Sequence, residues 1–397
     1  MEEWKEYKLG EIAKPIKDRI DTSILDKTSY ISTENMLPNK TGITSSSGVP
    51  LGNAIRFQEG DVLISNIRPY FKKIWRADNV GGCSADVICL RATDKVEPLY
   101  LFYLLSQDVF FDYVMQGAKG TKMPRGDRNQ IMQWPVFLPS KQKQKETSSF
   151  LKSLDDKIDC NRRINDNLEQ QAQALFKSWF VDFEPFKNGE FVESEMGLIP
   201  KGWKVGLLSE IGEIVGGSTP SKAKSQYYTS NGIPWLTPKD LSNSPCKFTA
   251  KGEIDITKEG YASCSTKIMP KGTVLFSSRA PIGYVSIAKN EICTNQGFKS
   301  VVPKEAGTAF IYYFLKTSTK DIENKATGST FKEASGALMK SLPTIIPTKS
   351  VLYGFEQIME PIFRKQETIE DESRHLAQLR DTLLPRLMSG ELKVNEI

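Results

Sequence analysis

Histidine is almost absent from this sequence, which has His375 as its single example among 397 residues. A zinc site with histidine ligands and a catalytic triad built on histidine therefore have almost no raw material. The cysteines are Cys83, Cys89, Cys160, Cys246, Cys264 and Cys293. They form no Cys-x-x-Cys pair, so we expect them to be reduced and structural.

Long apolar segments are missing as well. The longest apolar runs, such as residues 99–105, are far too short to span a bilayer, and the N-terminus has no apolar signal segment. The apolar fraction of 39% and the charged fraction of 25% are typical of a globular protein. We therefore expect a cytoplasmic protein without a membrane partner, and its length favours two domains over one core.

Sequence signatures of catalysis are also lacking. The turn at residues 216–220, GGSTP, lacks the GxxxxGK[ST] spacing of a nucleotide-binding loop, although it could present backbone N–H groups to another ligand. No Asn-Pro-Pro-Tyr segment of the methyltransferase kind occurs. Asp155, Asp156 and Lys157 have the residue types of a nuclease site, but on a helix adjacent side chains point apart. We expect no catalytic residue, no metal site and no cofactor in this chain.

What the sequence does contain is two long heptad runs. Residues 141–186 are predicted to be a long helix, because no glycine or proline interrupts residues 140–184. Its apolar residues recur at three- and four-residue spacing: Leu151, Leu154, Ile158, Leu168, Ala172, Leu175 and Trp179. About forty residues at roughly 1.5 Å each would span about 60 Å.

A second run, residues 348–390, has the same character. Phe355, Ile362, Ile369, Leu376 and Leu383 lie seven apart, with Ile358 and Leu379 at intervening positions. A narrow apolar seam on a long helix needs a partner, so we predict that the two helices pack together. Spacing alone also allows an alternative to this pairing, in which the two segments are surface helices on unrelated domains.

The segments outside the helices are duplicated. LGEI at 9–12 matches LSEI at 208–211, GDVLIS at 60–65 matches GTVLFS at 272–277, and YLFYLL at 100–105 matches FIYYFL at 310–315. The matches keep their order at separations of 199 to 212 residues, which indicates an internal repeat. Each copy has short strand-like segments followed by a helix, at about 98–117 in the first and 308–323 in the second.

Positive charge is concentrated in two places, although the net charge is only +5. Residues 117–145 hold seven lysines and arginines against Asp127, and residues 68–76 hold four among aromatic residues. Such patches suit contact with phosphate groups. A solvated face is the alternative for either patch alone.

Four segments together resemble the DNA-specificity subunits of Type I restriction-modification systems. They are ALFKSWFVDFEPF (174–186), IPKGWK (199–204), GGSTPS (216–221) and LLPRLMSGEL (383–392). The resemblance covers essentially the whole chain. It implies an α+β protein with pseudo-two-fold symmetry, in which two similar mixed target-recognition domains are separated by two long antiparallel helices that form a coiled coil.

The resemblance also implies domain bounds and a division of labour. The expected segments are recognition domains 1–140 and 203–347, long helices 141–186 and 348–390, a link 187–202 and a tail 391–397. Each domain would read one half of a bipartite site in double-stranded DNA, and the helices would set the spacer. This chain would be non-catalytic. Modification subunits with AdoMet would methylate adenine, and restriction subunits with ATP and Mg would translocate and cut the DNA.

Our candidates for DNA contact lie on loops that follow the apolar helices and paired strands. In the first domain they are Arg68, Lys72, Lys73, Lys119, Lys122, Arg125 and Arg128. In the second they are Lys222, Lys239, Arg279, Lys299 and Lys332, with Ser218, Thr219 and Thr330 as neutral donors. We expect most of them to hold phosphate and one or two arginines per domain to read guanine. A solvated charge is the alternative for each.

The end of the first long helix carries more aromatic residues than a two-helix seam can bury. Phe176, Trp179, Phe180 and Phe183 are therefore candidates for docking the modification subunits, with packing against the link and the second helix as the alternative. Asn161 and Asn165 fall on or beside the seam, where polar residues fix register. We expect Tyr70 and Trp75 to be framework residues rather than base-stacking groups.

Two other function classes remain open at this point. A coiled-coil scaffold that joins proteins without DNA specificity is one alternative, and the basic patches disfavour it. A single-chain methyltransferase or nuclease is the other, and AdoMet binding by this chain alone would favour it.

Overall fold

The computed structural model describes residues 4–279, 281–328 and 332–397 of the chain. The chain divides into two units. One is formed by residues up to Asp159 together with Arg374–Ile397, and the other by Cys160–Ser373. Each unit contains one mixed domain and parts of two helices of 40 residues each.

The first domain is built from short strands and helices. Its strands are β1 (Lys5–Lys8), β2 (Ala13–Pro15), β3 (Arg19–Asp21), β4 (Tyr30–Ile31), β5 (Asn53–Phe57), β6 (Val62–Ser65), β7 (Ile74–Arg76), β8 (Gly81–Cys83), β9 (Val87–Ala92) and β10 (Pro135–Leu138). Its helices are α1 (Leu9–Ile12), α2 (Pro98–Leu105), α3 (Asp108–Gln116) and α4 (Arg128–Ile131), and the first long helix is α5 (Lys141–Phe180). Strands pair in the orders β2-β9-β6-β7 and β3-β5-β8-β4, with β1 paired to β10.

The second unit repeats this plan with additions. Its strands are β11 (Phe191–Ser194), β12 (Gly197–Pro200), β13 (Lys204–Leu207), β14 (Gly212–Gly216), β15 (Tyr228–Thr229), β16 (Trp235–Leu236), β17 (Phe248–Thr249), β18 (Asp255–Ile256), β19 (Val274–Ser278), β20 (Ile282–Ala288), β21 (Cys293–Thr294), β22 (Lys299–Pro303) and β23 (Pro343–Ile346). Its helices are α6 (Leu208–Ile211), α7 (Pro238–Asn243), α8 (Lys258–Ala262), α9 (Gly307–Lys325), α10 (Gly336–Lys340) and the second long helix α11 (Lys349–Met388).

Equivalent pairings in the two domains confirm the predicted duplication. An antiparallel ladder joins the start and end of each domain, β1 with β10 in the first and β13 with β23 in the second. A short parallel pair also occurs in both, β4 with β8 and β16 with β21. The largest sheet of the second domain has the order β14-β22-β19-β20-β17. The prediction of two similar mixed domains is therefore confirmed.

The apolar helix predicted at 98–117 is two helices in the first domain. α2 begins at Pro98, where the carboxylate of Glu97 accepts a hydrogen bond from the N–H of Tyr100 at 2.7 Å. The chain leaves the helix at Ser106, whose hydroxyl donates to the carbonyl of Phe102, and Gln107 is extended before α3 starts. The second domain keeps one continuous helix, α9, at this point.

Within the second unit, α5 and α11 pack as an antiparallel pair. The amide of Asn161 donates to Glu372 at 2.9 Å, and Gln366 donates to the backbone carbonyl of Asn165 at 3.5 Å. Residue numbers therefore increase along α5 in the direction in which they decrease along α11. Asn161 is buried, as a register-fixing seam residue should be. Ile358 is 41% exposed, so its predicted place in the seam was wrong, because the neighbouring Met359 is buried there instead.

The same two helices also pair in the first unit. Arg380 on α11 donates to Asp155 on α5 at 2.6 Å, and the other oxygen of Asp155 accepts from the hydroxyl of Tyr103 at 2.6 Å. Leu151 belongs to the apolar core of the first domain together with Leu383. Each domain core thus includes residues from both long helices, which explains why the heptad positions are apolar.

No helix in residues 4–279, 281–328 and 332–397 combines the length and apolarity that a membrane span requires.

Candidate nucleic-acid interface

Three loops converge at one edge of the first domain. We call them loop A (residues 66–72, after β6), loop B (residues 119–128) and loop C (residues 84–86). The N–H of Gly126 in loop B donates to the carbonyl of Asn66 in loop A at 3.2 Å. The N–H of Asn66 donates to the backbone carbonyl of Asp86 in loop C at 2.9 Å. Backbone hydrogen bonds therefore fix the three loops to one another.

The second domain joins its three loops by equivalent bonds. Here loop A comprises residues 278–279, loop B residues 327–328 and 332–335, and loop C residues 295–297. The N–H of Ala334 donates to the carbonyl of Ser278 at 2.9 Å, and the N–H of Ser278 donates to Gly297 at 2.8 Å. The loops keep the same frame in both domains, while their side chains differ.

Loop B of the first domain carries four of the predicted basic residues, and loop C lies beside it. The exposed side chain of Lys119 lies 3.2 Å from Asp127, and Arg125 lies 3.3 Å from Asp86. Hydrogen bonds from the backbone of Gln130, and then from Lys119, hold the pKa of Asp127 below its usual value. Arg128 donates to the carbonyl of Ala85 in loop C, and Lys122 is exposed. Four predicted residues are therefore brought together.

Loop A of the first domain is held under backbone strain. Arg68 and Lys72 have φ values of 50° and 51°, which non-glycine residues adopt at a cost, and they flank a short 3₁₀ turn at Pro69–Phe71. Lys72 pairs with Asp108 at 2.9 Å, and Lys73 donates to the carbonyl of Thr33 at 2.6 Å. Burial, and then the charge of Arg68, lower the pKa of Lys73. Lys72 and Lys73 thus already have protein partners.

The two aromatic residues of this region behave differently. The ring of Trp75 packs edge-on against the buried Phe57 with ring centres 5.8 Å apart. Tyr70 is 47% exposed, and within the described part of the chain its ring packs against one other ring, that of the neighbouring Phe71. The framework role predicted for both residues is therefore supported for Trp75 alone.

The second domain has a concave site of about 720 Å³ beside loops A and C. Its lining includes four predicted residues: Thr219, Lys222, Lys239 and Arg279. The hydroxyl of Thr219 donates to the side-chain oxygen of Gln296 in loop C. The lining also includes Asp240 and Glu253, and a cleft of this volume is of a size that admits a nucleotide base.

The glycine-rich turn before this site serves close packing. A Cβ atom at Gly217 would clash with the carbonyl oxygens of Thr294 and Asn295, so only glycine allows this approach. The N–H of Ser218 donates to the carbonyl of Thr294 at 3.0 Å, and its carbonyl accepts from the indole of Trp235 at 3.1 Å. The turn therefore positions Thr219 at the concave site.

Glu333 in loop B connects two further predicted residues. Its carboxylate lies 3.7 Å from the guanidinium of Arg279 and 3.1 Å from the ammonium of Lys299. Lys332 is exposed and its ammonium lies 3.5 Å from the carbonyl of Glu323. Thr330 lies outside the described residues. In the second domain, one carboxylate therefore pairs with two of the predicted basic residues.

Sequence reasoning missed Asp86, Gln296 and Glu333, because it selected basic and hydroxyl residues only. The repeat offers a signal that would have found one of them. Residue 333 lies 208 positions after Arg125, the same separation as Lys119 and Thr327, so the alignment of the two copies places Glu333 opposite a predicted arginine.

The aromatic cluster at the end of α5 is largely inside the second unit. Phe176 and Phe180 are 4% and 8% exposed, and both pack against Phe310 and Phe355. Trp179 packs against Phe355 as well. The expectation that these residues are exposed was therefore wrong, because α9 and α11 cover them.

Phe183, the last of the four aromatic residues, packs against the link. Its ring contacts Phe191 and Trp203, with ring centres 6.1 and 5.5 Å apart. Packing against the link and the second helix was the alternative reading. Docking of modification subunits on the four residues Phe176, Trp179, Phe180 and Phe183 stays a prediction without the support of exposure.

Among the residues that the structure describes, no group of three or more histidine, cysteine, aspartate or glutamate side chains is arranged to hold a metal ion.

Comparison with known proteins identifies the family. Residues 1–170 and 200–370 each match the family described as the Type I restriction modification DNA specificity domain. The HindI Type I restriction enzyme specificity subunit of Haemophilus influenzae is 27% identical to this chain, covering 99% of this chain and 100% of that protein. The MjaIX specificity subunit of Methanocaldococcus jannaschii is 41% identical over 46% of this chain and 44% of its own length.

A solved structure shares the fold. The Type I restriction-modification S subunit from M. genitalium has 16% sequence identity and a TM-score of 0.59, covering 97% of this chain and 96% of its own. The doubled family match agrees with the duplicated loops and ladders of the two domains. The chain therefore belongs to the specificity subunits of Type I restriction-modification systems, which recognise specific DNA sequences.

Proposed function

We propose that each domain reads one half of a bipartite, asymmetric DNA site through its three joined loops. The observation that carries this proposal is the repeated backbone frame of loops A, B and C, which presents different side chains in the two domains. A shared frame gives both domains the same approach to a groove. Different side chains give the two halves of the site different sequences.

Most of the basic residues act on phosphate in this proposal. Lys119, Lys122 and Arg128 in the first domain, and Lys222, Lys239 and Lys332 in the second, hold the DNA backbone and position each domain on it. Each phosphate contact makes the slope of log K against log salt steeper by about 0.9 on duplex DNA. Six such contacts make binding strongly dependent on salt.

The long helices set the distance between the two half-sites in this proposal. Each domain core takes in residues of both helices, so a change in helix length moves a domain without changing its loops. Two helices packed along a seam resist bending, whereas a single unpaired helix of about 60 Å would bend. The spacer between half-sites is therefore constant and unread.

The chemistry belongs to partner subunits in this proposal. Modification subunits supply AdoMet and methylate adenine in each half-site, and restriction subunits use ATP and Mg to translocate and cut the DNA. This chain is the non-catalytic subunit that chooses the sequence. Family membership supports this division, and so does the sequence, because it contains few groups that are suited to catalysis.

Selection of duplexes from a random pool by the chain assembled with its modification subunits tests this function. We expect two short conserved half-sites at one fixed separation, bound about 10³-fold or more tightly than random sequence at moderate salt. Binding without sequence preference would contradict the proposal and favour a scaffold. The quadruple alanine variant of Lys119, Lys122, Arg125 and Arg128 should lose selection of one half-site. The triple alanine variant of Lys141, Lys143 and Lys145, at the start of α5 and outside the three loops, is the control for selection and should keep both half-sites.

A further inference from the structure

The two domains share one backbone bridge, whose loop B residue is basic in the first domain and acidic in the second. In the first domain Ile67 of loop A pairs with Arg125 of loop B, and Arg125 pairs in turn with Lys119. In the second domain Arg279 of loop A pairs with Glu333 of loop B, and Glu333 pairs with Thr327. The arginine has thus moved from loop B to loop A, and the position of Arg125 holds an acid instead.

Each bridge nevertheless carries one arginine that faces one carboxylate. Arg125 lies 3.3 Å from Asp86 with 58% of its side chain exposed, and Arg279 lies 3.7 Å from Glu333 with 36% exposed. In both cases the bridge fixes the backbone of the arginine and a carboxylate lies within ion-pair distance of its guanidinium; Glu333 also pairs with Lys299 at 3.1 Å. A guanidinium has five N–H donors, so one carboxylate leaves others open to a ligand.

We propose that Arg125 and Arg279 are the residues that read a guanine in the first and second half-sites, and that Asp86 and Glu333 position them. This inference rests on the function proposed above. An arginine is suited to guanine because its planar fork meets O6 and N7 together. A long side chain that is already oriented loses less entropy when it makes that contact.

The lysines of the same loops have a different role in this proposal. Lys122 and Lys332 are exposed and end in an ammonium, which acts on phosphate as a point charge. Lys122 lies on loop B of the first domain, three residues after the bridge residue Lys119. Lys332 lies on loop B of the second domain, one residue before the bridge residue Glu333. They are therefore matched controls for the two arginines.

The test measures binding of the assembled complex to duplexes that carry each single base change in either half-site. We expect the variant Arg279→Ala to reduce the preference for guanine at one position of the second half-site by about 5- to 150-fold, and to leave the first half-site unchanged. Arg125→Ala should do the converse. Lys122→Ala and Lys332→Ala should weaken all sequences equally and reduce the salt slope by about 0.9.

The variant Glu333→Gln tests positioning separately. Loss of the negative charge of Glu333 should raise the affinity for all DNA sequences. Arg279 would no longer be oriented by a carboxylate, so the preference for guanine at the position that it reads should fall. A purely structural role for Glu333 would lower the unfolding temperature and leave the base preference intact. The variant Arg279→Lys keeps the charge and should keep the salt slope but lose the preference, which separates reading from folding.

Three results would overturn the inference. Uniform weakening by Arg279→Ala would make it a phosphate contact, and an altered preference at a base other than guanine would refute the assignment. Changes in both half-sites from one arginine would refute the division between domains. In each case the wild-type chain would still select a bipartite site, so the proposed function would stand. Loss of any preference in the wild-type complex would overturn that function itself.

Discussion

The ammonium of Lys247 lies 2.7 Å from the carboxylate of Glu169, and the lysine side chain is only 6% exposed. The same ammonium donates to the hydroxyl of Tyr313 and to the side chain of Gln366. Burial lowers the pKa of Lys247 to about 8, although Glu169 opposes that shift. This buried pair connects the second domain to both of its long helices.

Breaking this pair should destabilise the second unit. Glu169→Gln leaves the buried charge of Lys247 without its carboxylate, and we expect a loss of about 3–5 kcal/mol in the free energy of unfolding. Urea unfolding followed by circular dichroism measures it. The double variant Lys247→Met with Glu169→Leu should lose less than the single one, because both charges are gone. A double variant as unstable as the single would argue against an uncompensated charge as the cause.

A second buried carboxylate predicts how stability depends on pH. Glu356 on α11 accepts hydrogen bonds from the N–H groups of Ala309 at 2.8 Å and Phe310 at 3.1 Å. Burial raises its pKa to about 7 from 4.5, against those hydrogen bonds. Because the folded-state pKa is raised, this group contributes stability that is fully present below pH 4.5 and is lost as pH rises through 7.

Glu356→Gln should therefore gain stability relative to the wild type as pH rises from 5 to 8. The expected difference is up to about 3 kcal/mol, since each pKa unit is worth about 1.4 kcal/mol. Urea unfolding at several pH values measures it. Glu291→Gln is the control, because Glu291 is an exposed glutamate of the same unit that does not lie on α11. Parallel stability curves for wild type and Glu356→Gln would rule out this titration.

Exchange of the first domain should change one half-site only. The exchanged segment is residues 1–140, and the recipient keeps Leu151 and Leu383, which complete the core of that domain. The donor must therefore present apolar residues to these two positions. Sequencing of selected duplexes should show a new first half-site with an unchanged second half-site and spacer. A change in both half-sites would contradict independent reading.

A matched insertion in both helices should lengthen the spacer. The division between the two units falls after Asp159 on α5 and after Ser373 on α11. Seven residues inserted at both points keep the heptad seam and add roughly 10 Å, which corresponds to about three base pairs. Both half-sites should keep their bases. Insertion in α5 alone breaks the seam and is the control for lost stability. An unchanged spacer would refute the role of the helices.

Much of the fold could be predicted from local patterns. Heptad spacing and an internal repeat are visible along the chain, so the long helices and the duplicated domains followed from sequence. Spacing alone assigned Ile358 to the seam, whereas the seam takes Met359, because the register of a helix pair depends on its partner. The burial of Phe176 by Phe310 and Phe355 joins residues more than 130 positions apart, which no local pattern shows.

The candidate site was predictable in part for a related reason. Basic residues on loops marked Arg125 and Arg279 as candidates, since clustered charge is a property of sequence. Their carboxylate partners, Asp86 and Glu333, come from other loops and depend on the folded frame. The bridge between loops A and B pairs residues 54 and 58 positions apart, which no local pattern in the sequence shows.

The central claim is that two domains of one chain read two short sequences at a fixed separation. Mapping of methylated bases in DNA from cells that express this chain with its modification subunits tests it most directly, because one map reports both half-sites and their spacing. We predict a single bipartite motif with two different halves and a constant unread spacer. A continuous motif, a variable spacer or methylation without a motif would contradict the account.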